Sequence, residues 1–254
     1  MKENKVKAKL ARKEPVFGVL SNSTDPTIAE LCGLSGLDFY LIDGEHGPVT
    51  TAQVLDIVRA CETGGITPLA RVRSNDPKLI LQYLDVGVMG IMLPGVKTVA
   101  DVEALVRAVK YPPLGGRGFG PVRAVDYLLG ERQQGDAVQF ANEQTLVLPQ
   151  IEDQEAVENL AALCQVPGVD GFVVGPRDLA MSMGFYDGPG HNEVKRTIAG
   201  IVDTVQQAGL VIGTTAATGE QARALIDRGV LFCLNSVAGL LKLAAADFLK
   251  GNHE

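Results

Sequence analysis

Eight short apolar runs recur along the chain, and segments of helical period lie between them almost from end to end. The runs are VFGVLS (16–21), FYLIDGEH (39–46), TPLARV (67–72), GIMLPGV (90–96), TLVLPQIE (145–152), GFVVGP (171–176), LVIGTT (210–215) and LFCLNS (231–236). VFGVL, GIML and GFVV are near-continuously apolar, as parallel strands buried on both faces must be. Between them, TAQVLDIVRACETG (51–64) puts Val54, Leu55, Val58 and Cys61 on one helical face, and VADVEALVRAVKY (99–111) does the same with Val102, Leu105, Val106 and Val109. Gly64, Gly87, Gly209 and Gly229 fall where helices are expected to end. Eight strand–helix units in 254 residues predict a TIM (β/α)8 barrel. An open, doubly wound sheet is the alternative, because strand order is not written in the pattern.

One segment breaks the rhythm. Residues 112–144 are long, rich in Gly and Pro, and of helical character only near 127–142. Long connections in compact domains tend to be functional, so this one is expected to cross the active-site mouth or to pack against a neighbouring subunit. No interdomain linker or low-complexity tract interrupts the chain, and 1–254 reads as a single domain.

The composition, 46% hydrophobic and 21% charged, is that of a globular protein, with 30 acidic residues against 23 Lys and Arg and a formal charge of -7. That sign disfavours a role resting on attraction to nucleic acid. The four cysteines, Cys32, Cys61, Cys164 and Cys233, are far apart and sit in apolar segments, as reduced thiols of a cytoplasmic protein would. No apolar run approaches the roughly 20 residues needed to span a bilayer. The start, MKENKVKAKLARKEP, lacks the apolar stretch of a secretory signal. A soluble cytoplasmic protein with no membrane partner is expected.

In a TIM barrel the chemistry sits at the C-terminal ends of the strands. Unusual polar residues collect there: Asp43, Glu45 and His46 after the second run, Arg71 and Arg73 at the third, Gln150 and Glu152 at the fifth, Arg177 and Asp178 after the sixth. Glu152 and Asp178, from different strands, offer oxygen ligands to one hard cation, Mg or Mn, with waters or substrate oxygens completing its shell. Zinc fits less well, since no His and Cys cluster accompanies the acids. Such a cation would polarise the ketone of a 2-oxo acid, and Arg71 would add fixed positive charge where an enolate oxygen develops. His46 is the natural general base, with Asp43 or Asp85 to hold its ring. His191 and His253 lack such company and read as surface residues. Asp43 and Glu45 look like ligands at first sight, but fit better as supports for the histidine. The run GGRGFG (115–120) matches no phosphate-loop spacing; its Arg117 is either a contact for a substrate anion or purely structural.

IDGEHGP (42–48), LARV (69–72), LDVG (84–87), KYPPLGGRGFG (110–120), PQIED (149–153) and VDGFVVGPRDLAMSMG (169–184) together resemble the HpcH/HpaI aldolases, a family of metal-dependent class II pyruvate aldolases. The resemblance runs from about Val16 to Leu249. It implies a barrel of the phosphoenolpyruvate/pyruvate type, with the C-terminal helix exchanged between subunits and hexamers built from dimers. It also implies a divalent cation, Mg or Mn with Co as a further option, and 2-oxo acid and aldehyde as small-molecule partners. Residue by residue, it implies His46 as base, Arg71 as transition-state stabiliser, Asp85 as the partner of the histidine, Glu152 and Asp178 as metal ligands, and Gln150 and Arg177 at substrate-binding positions, Asp178 among them. The choice of Asp85 over Asp43 comes from the resemblance alone. Two departures stand out: position 177 often carries a small residue in the family, and NSVAGLL (235–241) lacks an expected acid near the eighth strand.

The activity expected is reversible aldol cleavage of a 4-hydroxy-2-oxo acid to pyruvate and an aldehyde. Lys97, just past the fourth strand, is not needed as a Schiff base if the carboxylate pair holds a metal. Two rivals are a CoA-ester lyase of the citryl or malyl type, which needs a surface for CoA, and a non-catalytic barrel that binds 2-oxo acids.

Overall fold

A computed structural model describes residues 2–250 of the chain. In chain order the elements are α1 (Lys5–Ala11), β1 (Val16–Ser21), α2 (Pro26–Leu34), β2 (Phe39–Asp43), α3 (Thr51–Gly64), β3 (Thr67–Arg71), α4 (Pro77–Asp85), β4 (Gly90–Leu93), α5 (Val99–Val109), a 3-10 turn at Arg123–Leu128, α6 (Gln134–Gln144), β5 (Leu146–Ile151), α7 (Gln154–Leu163), β6 (Gly171–Val174), α8 (Pro176–Ser182), α9 (Asn192–Gln207), β7 (Val211–Thr215), α10 (Gly219–Asp227), β8 (Phe232–Ser236) and α11 (Val237–Phe248). The eight strands are parallel and pair in sequence order, with β8 closing on β1. This is a TIM barrel, and the open sheet is set aside.

Strands β2 to β6 are buried along their whole length, which explains why their sequences are almost free of polar alternation. Inside the barrel, Phe39, Leu41, Leu69, Met92, Leu148 and Phe232 fill the axis. Outside it, a larger apolar layer joins the strands to the inner faces of the helices. The rings of Phe39 and Phe232 stack at 4.2 Å although β1 runs between their strands. They meet because β1 carries Gly18 there: a Cβ at that position would collide with the Phe39 ring and carbonyl.

Caps fix the helix starts. Thr50 and Thr98 each form a reciprocal capping box, with Gln53 and Asp101 respectively, so α3 and α5 begin at defined residues above the strand ends. The left-handed residue that ends α3 is Gly65, at φ 73°; Gly64 is still helical.

The N-terminal end of the barrel is sealed. Val6 and Leu10 of α1 are buried against its lowest layer, beside Val16 and Leu146. Asn4 caps α1 by accepting from Lys7 N–H at 3.0 Å, and its amide donates to the carbonyls of Met89 and Gln144 at 3.0 and 2.8 Å. Residues 112–144 belong to this same end. They connect α5 to β5, a helix-to-strand connection, and so lie opposite the strand tips where barrel chemistry takes place. Within the chain the segment therefore does not cross the active-site mouth. It is held instead by Lys110, whose buried ammonium donates to the carbonyls of Asn142 and Thr145 at 2.7 and 2.6 Å. Burial lowers that amine to about 8.

The four thiols are free; Cys61, Cys164 and Cys233 are buried, and burial raises the pKa of each. Among the described residues no helix is long and apolar enough to cross a membrane. His253 lies outside the described residues.

Candidate active site

The apolar strands carry charged side chains only at their C-terminal ends. Asp43 and Arg71, the last residues of β2 and β3, are direct partners in the ladder. Arg71 donates from Nε and Nη2 to the two Asp43 oxygens at 3.1 and 2.8 Å, and its Nη1 lies 3.1 Å from Glu45. Burial works against the guanidinium charge, yet the two carboxylates outweigh it and hold Arg71 above its ordinary value. Asp43 also accepts the backbone N–H groups of Glu45 and His46, both at 3.2 Å, which fixes the turn that carries the histidine.

Glu152 follows β5. It accepts the backbone N–H of Gly95 at 2.7 Å through Oε1, and Oε2 is in close contact with the Gln150 amide. Burial raises its carboxyl to about 7, with Asp178 and Glu45 adding repulsion against the opposing pull of Gly95 N–H and Arg71. The cradle depends on Gly175, at the start of α8: a Cβ there would stand 2.6 Å from Gln150 Nε2 and 2.7 Å from Glu152 Oε2. A buried carboxylate held by Gly95 N–H and the Gln150 amide and crowded by a second carboxylate is a donor set that suits a divalent cation. Among the described residues no three His, Cys, Asp or Glu side chains gather as a ligand cluster. Two oxygen ligands fit a hard cation that takes its other ligands from substrate and water, as Mg does.

His46 exposes two thirds of its side chain, at 67%, into the mouth of the cavity, and Glu45 is the nearest acid, 3.9 Å from Nε2. Neither Asp43 nor Asp85 touches its ring. Asp43 is committed to Arg71, and Asp85, at the C-terminal end of α4, pairs with Arg117 at 2.8 Å. Arg117 is itself buried over the Tyr111 ring, 4.5 Å from its centroid. Within one chain, then, Asp85 and Arg117 form a structural pair in the α4 and α5 layer. Lys97 points to Asp153 and Glu155, at 3.0 and 3.7 Å, rather than into the cavity. His191 pairs with Asp187 at 2.7 Å on the loop before α9.

A cavity of about 1000 Å3 opens above the strand tips, and His46, Arg71, Gln150, Arg177 and Asp178 all line it. Two backbone contributors were not read from the sequence: the Gly95 N–H and the space at Gly175. Their only signals are glycines directly after strands, in LPGV and VVGP. Lys195, on the cavity wall in the first turn of α9, gave no signal at all.

A closed parallel barrel that gathers carboxylates, a buried arginine and an open histidine at its C-terminal rim is a barrel enzyme in architecture. The chain belongs to the HpcH/HpaI aldolase/citrate lyase family, whose model matches residues 17–243. It is 35% identical over 243 residues to a hydroxypyruvate/pyruvate aldolase of Cupriavidus necator, covering 96% of this chain and 90% of that one. A 4-hydroxy-2-oxo-heptane-1,7-dioate aldolase of Escherichia coli is 36% identical over 247 residues, 97% of this chain and 94% of that protein. Among solved structures, an HpcH/HpaI aldolase/citrate lyase family protein from Burkholderia cenocepacia superposes with a TM-score of 0.90 at 30% identity, covering 99% of this chain and 100% of that one.

Proposed function

We propose that the protein is a divalent-metal-dependent pyruvate aldolase that cleaves a 4-hydroxy-2-oxo acid reversibly to pyruvate and an aldehyde. The observation that carries this reading is the placement of Arg71, a buried guanidinium clamped by Asp43 and Glu45 on the same cavity as Gln150, Asp178 and His46. A charge held this rigidly needs no reorganisation when an enolate oxygen forms beside it. The hydroxypyruvate/pyruvate aldolase and the 4-hydroxy-2-oxo-heptane-1,7-dioate aldolase to which the chain is similar support the same chemistry.

A divalent cation, Mg or Mn, held by Glu152 and Asp178 would supply Lewis acidity at the 2-oxo group. The chain's own residues do the rest. Gln150 and the free backbone N–H groups at the start of α8 orient the substrate carboxylate. His46, open to the cavity, accepts the proton of the C4 hydroxyl as the C3–C4 bond breaks. The electron pair of that bond becomes the pyruvate enolate, which Arg71 stabilises. The aldehyde leaves toward the open side, and a proton returned to C3 yields pyruvate. Glu45, between Arg71 and His46, steadies the imidazolium formed on the way.

The same reading includes assembly. Helix α11 has no buried residue, and beside it lies an apolar pocket of about 500 Å3 between β1, β8 and α10. Exchange of α11 between copies of the chain would cover both.

The direct test is exchange of pyruvate methyl protons in deuterium oxide, with and without Mg or Mn, for wild type, His46→Ala and Glu152→Ala. Metal-dependent exchange, lost in both variants, is expected; equal exchange in all samples would sink the enolate mechanism. Pyruvate release from a 4-hydroxy-2-oxo acid, set against acetyl-CoA release from malyl-CoA, separates aldolase from CoA-ester lyase.

A further inference from the structure

The ladder between β4 and β5 ends at the pair Leu93 and Pro149, short of Gly95 and Glu152. Beyond that pair β4 gives way to a loop, residues 94–98, and strand pairing no longer fixes its distance from β5. The two segments are rejoined at two points. The Gly95 N–H donates to Glu152 at 2.7 Å, and the Lys97 ammonium meets the Asp153 carboxylate at 3.0 Å. Lys97 and Asp153 each stand four residues past the last ladder pair, so the ion pair continues the parallel register in side chains. Asp153 caps α7 and is held there by accepting the Glu155 N–H at 2.9 Å.

Gly95 has little of its own to hold it. It is left-handed, at φ 66°, and among the described residues nothing lies within 4 Å of where its Cβ would be. Glycine is the least restricted residue, so the direction of this N–H is imposed by its neighbours. Val96 is buried in the apolar layer outside the barrel. Lys97 is tied three ways: its ammonium to Asp153, its N–H to Asp101 at 3.1 Å, and its carbonyl to the Asn159 amide, which donates at 3.0 Å. Asn159 lies within α7, the helix that follows Glu152 directly. An ion pair with 44% of its lysine side chain exposed adds little to global stability. Its effect is local: it sets where the neighbouring N–H points.

We infer that Lys97 is a positioning residue for Glu152: by clasping the cap of α7 it holds the Gly95 N–H against Oε1 and so aims the carboxylate at the divalent cation. The inference rests on the metal-dependent reading above and adds a residue to it. A carboxylate oxygen carries two lone pairs, so an N–H and a cation can share it. Hydrogen bonds of this outer kind orient metal ligands, and losing one costs about tenfold to a hundredfold in metal affinity. Lys97 acts one step further out, and a fraction of that loss is expected from it.

The charge of Lys97 and its clasp act in opposite directions. A lysine close to a cation site repels the cation, so removing its charge alone would tighten metal binding. Removing the clasp weakens it. Mn titration of the metal-free protein, followed by electron paramagnetic resonance, is compared for wild type, Lys97→Met and Lys97→Arg, each verified as folded by circular dichroism. Lys97→Met is expected to bind Mn about threefold more weakly, and Lys97→Arg to match the wild type. Hydrogen exchange of the peptide that carries Gly95, read by mass spectrometry without metal, should quicken in Lys97→Met and not in Lys97→Arg. Mn bound as tightly or more tightly by Lys97→Met overturns the inference, as does unchanged exchange in that variant or a Lys97→Arg as weak as Lys97→Met. A wild type that binds no Mn removes the metal-dependent reading and the positioning role together. A wild type that binds Mn beside an equally tight Lys97→Met removes the positioning role alone.

Discussion

Asp43 and Arg71 face each other as ladder partners on β2 and β3, and both carboxylate oxygens are taken by the guanidinium. The same carboxylate accepts two backbone N–H groups of the turn that bears His46. One buried acid therefore sets the position of the arginine and of the histidine together.

Replacing Asp43 by Asn leaves a buried guanidinium with only Glu45 as counter-charge. Breaking one side of a buried pair costs on the order of 3 kcal/mol. Urea unfolding of Asp43→Asn should show that loss, and the double variant Asp43→Asn with Arg71→Met should recover part of it. If the double variant is no more stable than the single, the pair does not act as a coupled unit.

The pH response of the metal-free protein follows from Glu152. Its folded carboxyl holds a proton up to about 7, against an ordinary value of 4.5. Between those values the folded state binds more protons than the unfolded chain, so stability falls as pH rises through that window, by roughly 3 kcal/mol at most. Thermal melts with a chelator should show the decline, and it should flatten in Glu152→Gln. Added Mg or Mn should restore stability above pH 7, where the carboxylate is ionised. A chelated wild type as steep as Glu152→Gln would remove Glu152 as the source.

Gly175→Ala tests the cradle. The new Cβ would crowd both Gln150 and Glu152, and overpacking of this kind costs about 1–3 kcal/mol. The fold should survive while metal affinity, followed by Mn titration, weakens about tenfold or more. Unaltered Mn binding would show that these two side chains do not need their present spacing.

Leu240 and Leu243 of α11 line the apolar pocket against β1 and β8 while remaining partly exposed. Leu243→Asp should convert an assembled protein to smaller species in sedimentation velocity, with the barrel still folded by circular dichroism. Unchanged sedimentation would place the subunit contact elsewhere.

The barrel was legible because burial on both faces leaves a plain sequence signature; β1, at Val16–Ser21, coincides with the run VFGVLS. The other seven runs overshoot by a residue or more, past the end of the strand in GIMLPGV and before its start in LVIGTT and LFCLNS, because apolar residues flank the ladder there. The polar residues at the rim were legible for a related reason: they interrupt runs otherwise closed to charge. Pairings were not. Asp43 could be placed beside the histidine, but only the β2–β3 register reveals that it belongs to Arg71. Asp85 and Arg117 meet across 32 positions with no local pattern between them. The place of residues 112–144 followed from strand order, a property of the closed sheet that composition does not carry.

Ala216, Ala217, Leu234 and Asn235 line both cavities, the wide one at the rim and the apolar one beside α11. A larger side chain at Ala217 would narrow the room for incoming aldehydes and press outward on the face proposed for a neighbouring chain. Substrate range and quaternary structure would then be inherited through the same few small residues, so a lineage that changes one must accommodate the other.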